Sequence, residues 1–361
     1  MSMENIQSNM HERLRQLVSQ SPGLKAKAIA RQLGQQRSDI NALLHKYNKD
    51  FVQDEDFCWH VSEQADHLIE FQPGWTDASM FEKSLKDFGS PLDCEINTLK
   101  FSIPSGCKLL LEAGVRLLAL CNQLSSSGKN VVVDFSDCKS TLSYFDRIGF
   151  FEHLNEQVTV LPRRPVTSKA YLFRGNSSAM VEFGAITIGV GYKDLVNRLS
   201  NIFVLQSNER YEVAASTVFS ELIGNINDHS RASVPGFAAL QKYNGRRTHI
   251  QTVVSDSGDG IAATLKPTVG ENYPQLANLS DMELVKEVLM KGEISRHGAG
   301  NGLGFKSSRE QTIKFNARLS VRQVNFSFTV EYKNGSISDM RENSELARID
   351  GTHVCFDFFV D

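Results

Sequence analysis

Apolar residues at helical spacing recur in three short runs near the start of the chain. "HERLRQLVSQ" puts Leu14, Leu17 and Val18 on one face before "SPG" interrupts it. "LKAKAIARQLG" follows, with Gly34 where a left-handed helix terminus belongs, and "SDINALLHKYNKD" opens on Ser38 as a candidate N-cap. "FVQDEDFCWHV" then alternates about an acidic tip, as a hairpin does. Residues 1–62 therefore read as three helices and a hairpin.

From 53 to 93 there are ten acidic and two basic residues, broken by Pro73, Gly74, Gly89 and Pro91. Residues 63–93 read as an acidic connector, with some helix in "DASMFEKSLKDF". Over 94–175 strand and helix patterns alternate: "LKFSIP" and "NVVVDFS" are strand-like, while "KLLLEAGVRLLALCNQL" and "LSYFDRIGFFEHL" are helical. Residues 176–361 carry a long helix from about Glu209 to Asp228 and the strand "HIQTVVSDSGDGI" running into a glycine turn. A polar stretch over 262–297 contains the helix "DMELVKEVLMKG"; a second glycine turn, "HGAGNGLGF", then precedes another helix, and alternating strands from Arg318 end in "GTHVCFDFFVD".

Composition narrows this only slightly. With 41% hydrophobic and 22% charged residues over 361 positions, two or three soluble globular domains are expected. A formal net charge of −3 offers no global attraction to nucleic acid or anionic lipid, so such a contact must be local. The six cysteines contain no C-x-x-C pair, which argues against zinc. No signal-peptide pattern opens the chain, and no apolar run approaches the roughly 20 residues that span a bilayer. The expected setting is a reducing cytoplasm, with no membrane contact.

The chemistry concentrates in three motifs. In "SELIGNINDHS", Glu221 and Asn225 lie four apart on one helical face, followed by Asp228 and His229. Asp256, Gly258 and Gly260 end an apolar strand, where glycines admit a flat ligand and a carboxylate accepts from an exocyclic amine. Gly300, Gly302 and Gly304 precede a helix and offer backbone N–H groups to phosphates. In this order, with "GTHV" at the terminal strand, the motifs resemble those of the GHKL superfamily of ATP-binding proteins, over about residues 180–361. The resemblance implies an α/β sandwich of helices on a mixed sheet that binds ATP and Mg²⁺. It implies Asn225 as Mg²⁺ ligand, Glu221 as general base, and Asp256 as reader of the adenine amino group with Thr352 in support. Gly258 and Gly260 admit the base. Gly300, Gly302 and Gly304 close over the phosphates within a lid, with Lys306 and Arg296 as further phosphate contacts. His229 is read as a structural hydrogen-bonding residue as readily as a functional one.

The first 62 residues form a winged helix-turn-helix pattern and resemble Z-nucleic-acid-binding domains through "LG", "DIN" and a tryptophan on the last strand. That resemblance makes Asn41 and Trp59 nucleic-acid contacts and puts His45 where the family has tyrosine; Asp54, Glu55 and Asp56 replace its proline-bearing wing. Lys25, Lys27, Arg31, Arg37, Lys46 and Lys49 face only Asp39 over residues 25–49, a patch suited to phosphates. Winged helices also bind proteins, so both kinds of partner stay open, and Trp59 is equally a core candidate. Residues 95–160 resemble a STAS module, whose partner kinases phosphorylate a serine in the turn; Ser140 and Thr141 are the nearest here, with helix capping by Ser140 as the alternative. The whole is thus expected to be multidomain α+β: a winged helix, a small α/β STAS-like module and a C-terminal GHKL domain, assembled as a homodimer. An ATP-hydrolysing switch, a serine/threonine kinase of the anti-sigma type, and a non-catalytic ATP-sensing transcription regulator are the functions to separate.

Overall fold

The computed structural model describes residues 10–291 and 313–360, apart from 12, 19–20, 48–49, 62–66, 87, 230–231, 233, 246 and 314. The chain divides into two compact units, residues 1–68 with 98–100 and residues 69–97 with 101–361.

In the first unit, helical residues at 13–18 precede β1 (Leu24–Lys25), α1 (Ala26–Leu33), α2 (Arg37–Lys46), β2 (Phe51–Gln53) and β3 (Cys58–Val61). The strands form an antiparallel sheet in the order β1-β3-β2. Gly34 ends α1 at φ 66°, and its N–H donates to the Ala30 carbonyl, as its place after the apolar run predicts. Ser38 is not the cap of α2: Gln36 holds that place, and the Ser38 hydroxyl donates to Asp39 inside the first turn. Leu14, Val18, Ile29, Ile40, Leu44, Phe51 and Trp59 make the core of this unit. At the acidic tip Asp54 accepts the N–H groups of Asp56 and Cys58 and pairs with His60 at 2.7 Å. The tip carboxylate is thereby spent on shaping the turn.

The next elements are β4 (His67–Glu70), β5 (Gly74–Thr76), α3 (Ala78–Lys86), β6 (Thr98–Ser102) and β7 (Cys107–Leu109); all belong to the second unit, β4 from Ile69 and β6 from Phe101. It continues through α4 (Leu111–Ser126), β8 (Asn130–Asp134), α5 (Lys139–Ile148), α6 (Phe150–His153), β9 (Thr159–Leu161) and α7 (Lys169–Phe173). Residues of β4 and β6 join β8 and β9 in a four-stranded sheet, and β5 pairs in parallel with β7. The stretch read as a connector is folded from His67 on: Phe71, Phe81 and Leu85 are fully buried. The predicted single helix around Gly149 is two, because Gly149 turns at φ 87° between α5 and α6. Cys138, not Ser140, caps α5; Thr141 is buried with its hydroxyl on the Cys107 carbonyl, while Ser140 is exposed.

The remainder adds β10 (Met180–Ile186), α8 (Lys193–Gln206), α9 (Glu212–His229), β11 (Gly236–Tyr243), β12 (His249–Ser255), α10 (Gly260–Asn272) and α11 (Asp281–Lys291). After these come β13 (Ala317–Gln323), β14 (Phe326–Lys333), β15 (Ser336–Asn343) and β16 (Thr352–Phe359). Seven strands form one sheet, β10-β11-β12-β16-β13-β14-β15. Every pair in it is antiparallel, which corrects the expected mixed sheet. The local reason is that β11-β12, β13-β14 and β14-β15 are joined by short turns, the last through Asn334-Gly335 with both φ positive, and such hairpins need no crossover; β10 and β11 are joined instead through α8 and α9.

Alternation along β16 sorts the two faces. Phe356 and Phe358 point the same way as Leu240, Ile250 and Val254, into an apolar core with Leu199, Phe203, Val218, Phe219 and Ile223 of α8 and α9, while Val354 packs against a second cluster with Val285, Val321 and Phe328. His353, Cys355 and Asp357 point the other way, toward α4. That second face is polar and still buried. Gln251 accepts the Glu112 N–H and donates to Asp357, and Tyr144 donates to Gln241. Glu82 of α3 receives Arg116 of α4 at 2.7 Å and Arg322 of β13 at 2.9 Å, while Arg116 also reaches Glu112 at 2.5 Å. Residues 101–175 and 176–361, expected in separate domains, lie within one compact unit.

Candidate nucleotide site

On α9, Ala215, Val218, Phe219, Ile223 and Ile226 are buried, and this apolar stripe fixes the helix on the sheet. Glu221 and Asn225 fall at its edge, one turn apart and half-buried. Burial with no compensating cation raises the Glu221 pKa above its ordinary value. The Asn225 Nδ2 is buried and has no hydrogen-bond partner among the described residues. A buried amide without a partner costs on the order of 1–3 kcal/mol. The next residue, Ile226, presses on Gly236: a Cβ there would lie 2.9 Å from both Ile226 Cγ2 and the Ser255 carbonyl. The Asn225 turn of α9 is therefore seated at the end of β12, immediately before Asp256.

Asp256 is 8% exposed, and burial pushes its carboxyl up from 3.8 to about 6 despite hydrogen bonds from Gly258 and Thr352. The Gly258 N–H donates to Oδ1 at 2.7 Å. Beside it the chain returns through Asp350, Gly351 and Thr352, with Asp256 N–H donating to the Thr352 carbonyl at 2.9 Å. Gly351 has φ 97°, and a Cβ there would stand 2.0 Å from the Asp256 carbonyl oxygen. Only glycine fits that crossing. Gly260, at φ 81°, opens α10, and Gln323 reaches across to donate to the Thr352 hydroxyl at 3.0 Å.

Asp256, Gly258, Gly260 and Thr352 are thus brought together, and Glu221 and Asn225 lie on the helix packed against the end of the same strand. Gly300, Gly302, Gly304, Lys306 and Arg296 lie outside the described residues, as do the side chains of Asp228 and His229. In the first unit Lys25, Arg37, His45 and Lys46 are exposed and Asn41 is half-buried. Trp59 is 3% exposed, its ring 5.3 Å from His45, and its indole N–H has no partner among the described residues.

Residues 211–357 match the sequence model of the family described as histidine kinase-, DNA gyrase B-, and HSP90-like ATPase. This segment is a GHKL-type ATPase domain. Such domains bind ATP, typically with Mg²⁺. No curated protein matches the chain. Among solved structures, one described as "Crystal Structure of N terminal domain of a DNA repair protein" is similar at 18% identity and a TM-score of 0.19. That alignment takes in 40% of this chain and 37% of the other, so most of both remains unmatched.

The match to the ATPase domain begins at the start of α9 and stops within β16, leaving out the buried partners on α3 and α4. Sequence reasoning gave no role to Gln123 or Gln323, and quoted Gly351 only as the first residue of "GTHV". Gly351 had a signal in the "DGT" turn ahead of a strand. The two glutamines had none, because their role depends on partners more than 25 residues away.

Proposed function

We propose that this protein is an Mg²⁺-dependent, ATP-hydrolysing switch. The observation that carries the reading is the buried, unpartnered amide of Asn225, one turn from Glu221 and beside the strand that delivers Asp256. The donor set fits Mg²⁺: the ion keeps several waters and takes one or two protein oxygens plus substrate phosphates. Among the described residues no group of three His, Cys, Asp or Glu stands ready to cage a metal, and this mode needs none. Asn225 would offer its amide oxygen to the metal while its Nδ2 donates to a phosphate oxygen, and Mg²⁺ would neutralise phosphate charge there.

Asp256 accepts the adenine amino N–H, and Thr352, aligned by Gln323, completes that edge. Gly258 and Gly260 leave room for the base. Glu221 takes a proton from a water as its oxygen bonds to the γ-phosphorus, and the β–γ bridging oxygen leaves with ADP. A raised carboxyl pKa suits a base working near neutrality. Gly300, Gly302, Gly304 and Lys306 belong to the phosphate lid in this reading. The order of helix, strand, two helices and hairpin in the first unit supports a winged helix. Its exposed Lys25, Arg37, His45 and Lys46, with Asn41, make a phosphate-facing surface, whereas the buried Trp59 serves the core. Nucleic acid is the favoured partner and a protein the alternative; a homodimer in the cytoplasm is the proposed assembly.

The test is release of labelled γ-phosphate by the full chain with Mg²⁺, wild type against Glu221→Ala, with the same samples run on a gel. Release that falls about 10²–10⁴-fold in the variant, with ATP binding retained, supports a general base. Label retained on the protein replaces hydrolysis by phosphotransfer, with exposed Ser140 the first acceptor to examine. Binding without either reaction leaves a sensor.

A further inference from the structure

Two chain segments, 256–258 and 350–352, touch where Gly351 crosses Asp256. Neither is held by the ATPase domain alone. Gln123, 7% exposed on α4, donates from Nε2 to the Ser257 hydroxyl at 2.8 Å and to the Asp350 carbonyl at 2.9 Å. Its Oε1 accepts the Asp350 N–H at 3.0 Å. One side chain thus bonds both segments and uses both ends of its amide.

A second brace acts on the same carbonyl. His353 is buried, and burial with Arg322 and Arg116 nearby holds its pKa well below the ordinary value, so the ring is neutral. The Asp350 carbonyl only accepts, so the proton sits on Nε2, 3.2 Å away, and Nδ1 accepts from the Ser255 hydroxyl at 2.7 Å. Arg322, held by Glu82 of α3, donates to the carbonyls of Ala347 and Ile349 just upstream. Within the 211–357 match the segment is held by His353, by Arg322 and by the Val324 carbonyl, which accepts the Ile349 N–H at 2.9 Å; Gln123, Ser90 and Asp93 hold it from outside the match, and Arg322 itself is oriented by Glu82.

We propose that Gln123 is a positioning residue for base recognition, through which the α4 module sets the adenine selectivity of the ATP pocket. It touches no nucleotide; it fixes the spacing of Asp256 from Thr352, and hence whether the carboxylate faces the purine 6-position. The inference rests on the ATP reading above. A shift of α4 is then transmitted to the base edge of the pocket without passing through α9 or the phosphate lid.

The test is titration of the full chain with Mg²⁺ and either ATP or inosine triphosphate, which differs at the purine 6-position by a carbonyl in place of the amine. Gln123→Ala is expected to weaken ATP at least tenfold and inosine triphosphate less than threefold. Gln123→Glu keeps an acceptor for the Asp350 N–H but loses the donor, and falls between. A stability effect alone lowers both affinities together. Equal loss for both nucleotides, or no change in their ratio, overturns the proposal. If Gln123→Ala does not fold by circular dichroism, Gln123→Glu and Ser257→Ala carry the same comparison. A wild type that binds ATP and inosine triphosphate equally refutes the adenine role of Asp256 itself and this inference with it; a preserved preference with unchanged Gln123 variants refutes this inference alone.

Discussion

Replacing Glu82 by glutamine removes one negative charge from an interior that holds two guanidinium groups. Glu82 accepts Arg116 Nη1 at 2.7 Å and Arg322 Nε at 2.9 Å, and Arg322 is 0% exposed. At an effective dielectric near 20, each close ion pair contributes roughly 4 kcal/mol of attraction, part of which offsets desolvation. The glutamine amide oxygen still accepts one hydrogen bond, and Arg322 keeps its backbone carbonyls, so the loss stops short of two full pairs. Breaking such a buried pair from one side costs about 3–5 kcal/mol. For a unit of this size that lowers the melting temperature by on the order of 10 °C. Thermal and urea unfolding followed by circular dichroism read it directly. Lys86→Gln is the control: its pair to Glu345, at 3.6 Å, is solvent-exposed on both sides, and the variant should unfold with wild type. A Glu82→Gln loss under about 1 kcal/mol would refute the reasoning, because the cluster would then behave as an exposed pair. Adding Arg322→Met should restore part of the loss, since it removes the charge left unpaired.

Gly351→Ala combines φ 97° with a Cβ 2.0 Å from a backbone oxygen, so the two pocket segments must part; ATP binding should be lost, and a variant that binds normally contradicts the crossing. Asp256 titrates near 6 rather than 3.8, so it holds its proton more tightly folded than unfolded. Its stabilising effect is complete below about pH 4 and is lost as pH rises through 6, a difference of about 3 kcal/mol. Asp256→Asn should therefore raise the stability of the nucleotide-free protein at pH 7.5 and flatten its profile between pH 4 and 7. ATP favours the carboxylate, so its affinity should climb through pH 6 with release of a proton, which calorimetry in buffers of different ionisation enthalpy detects.

Some of this molecule is legible in its sequence because the deciding forces are local. The helical spacing of Ile223 and Ile226 fixes which edge of α9 carries Glu221 and Asn225, since a helix brings residues four apart onto one side whatever lies opposite. Gly34 ends its helix for a backbone reason, and the apolar strand ahead of Asp256 ends where glycines begin. The antiparallel sheet was partly readable too, in the Asn334-Gly335 turn.

The tertiary structure alone decided the rest. Residues 63–93 looked like a linker because their charge is high, yet Glu82 is buried there against arginines 34 and 240 positions away. Within a local window a carboxylate counts as solvent-facing, and only a distant guanidinium can hold it inside. Polar alternation on β16 would ordinarily mean a wet face, but this one is buried: the α4 Glu112 N–H satisfies Gln251, which in turn donates to Asp357, and Ser255 of β12 bonds His353. Gln123 came to brace the segments beside Asp256 in the same way, through hydrogen bonds to residues 134 and 227 positions along the chain. Short-range pattern fixes which side chains share a face; which faces meet is set by long-range burial, and that is what brought Gln123 and Glu82 to segments far along the chain.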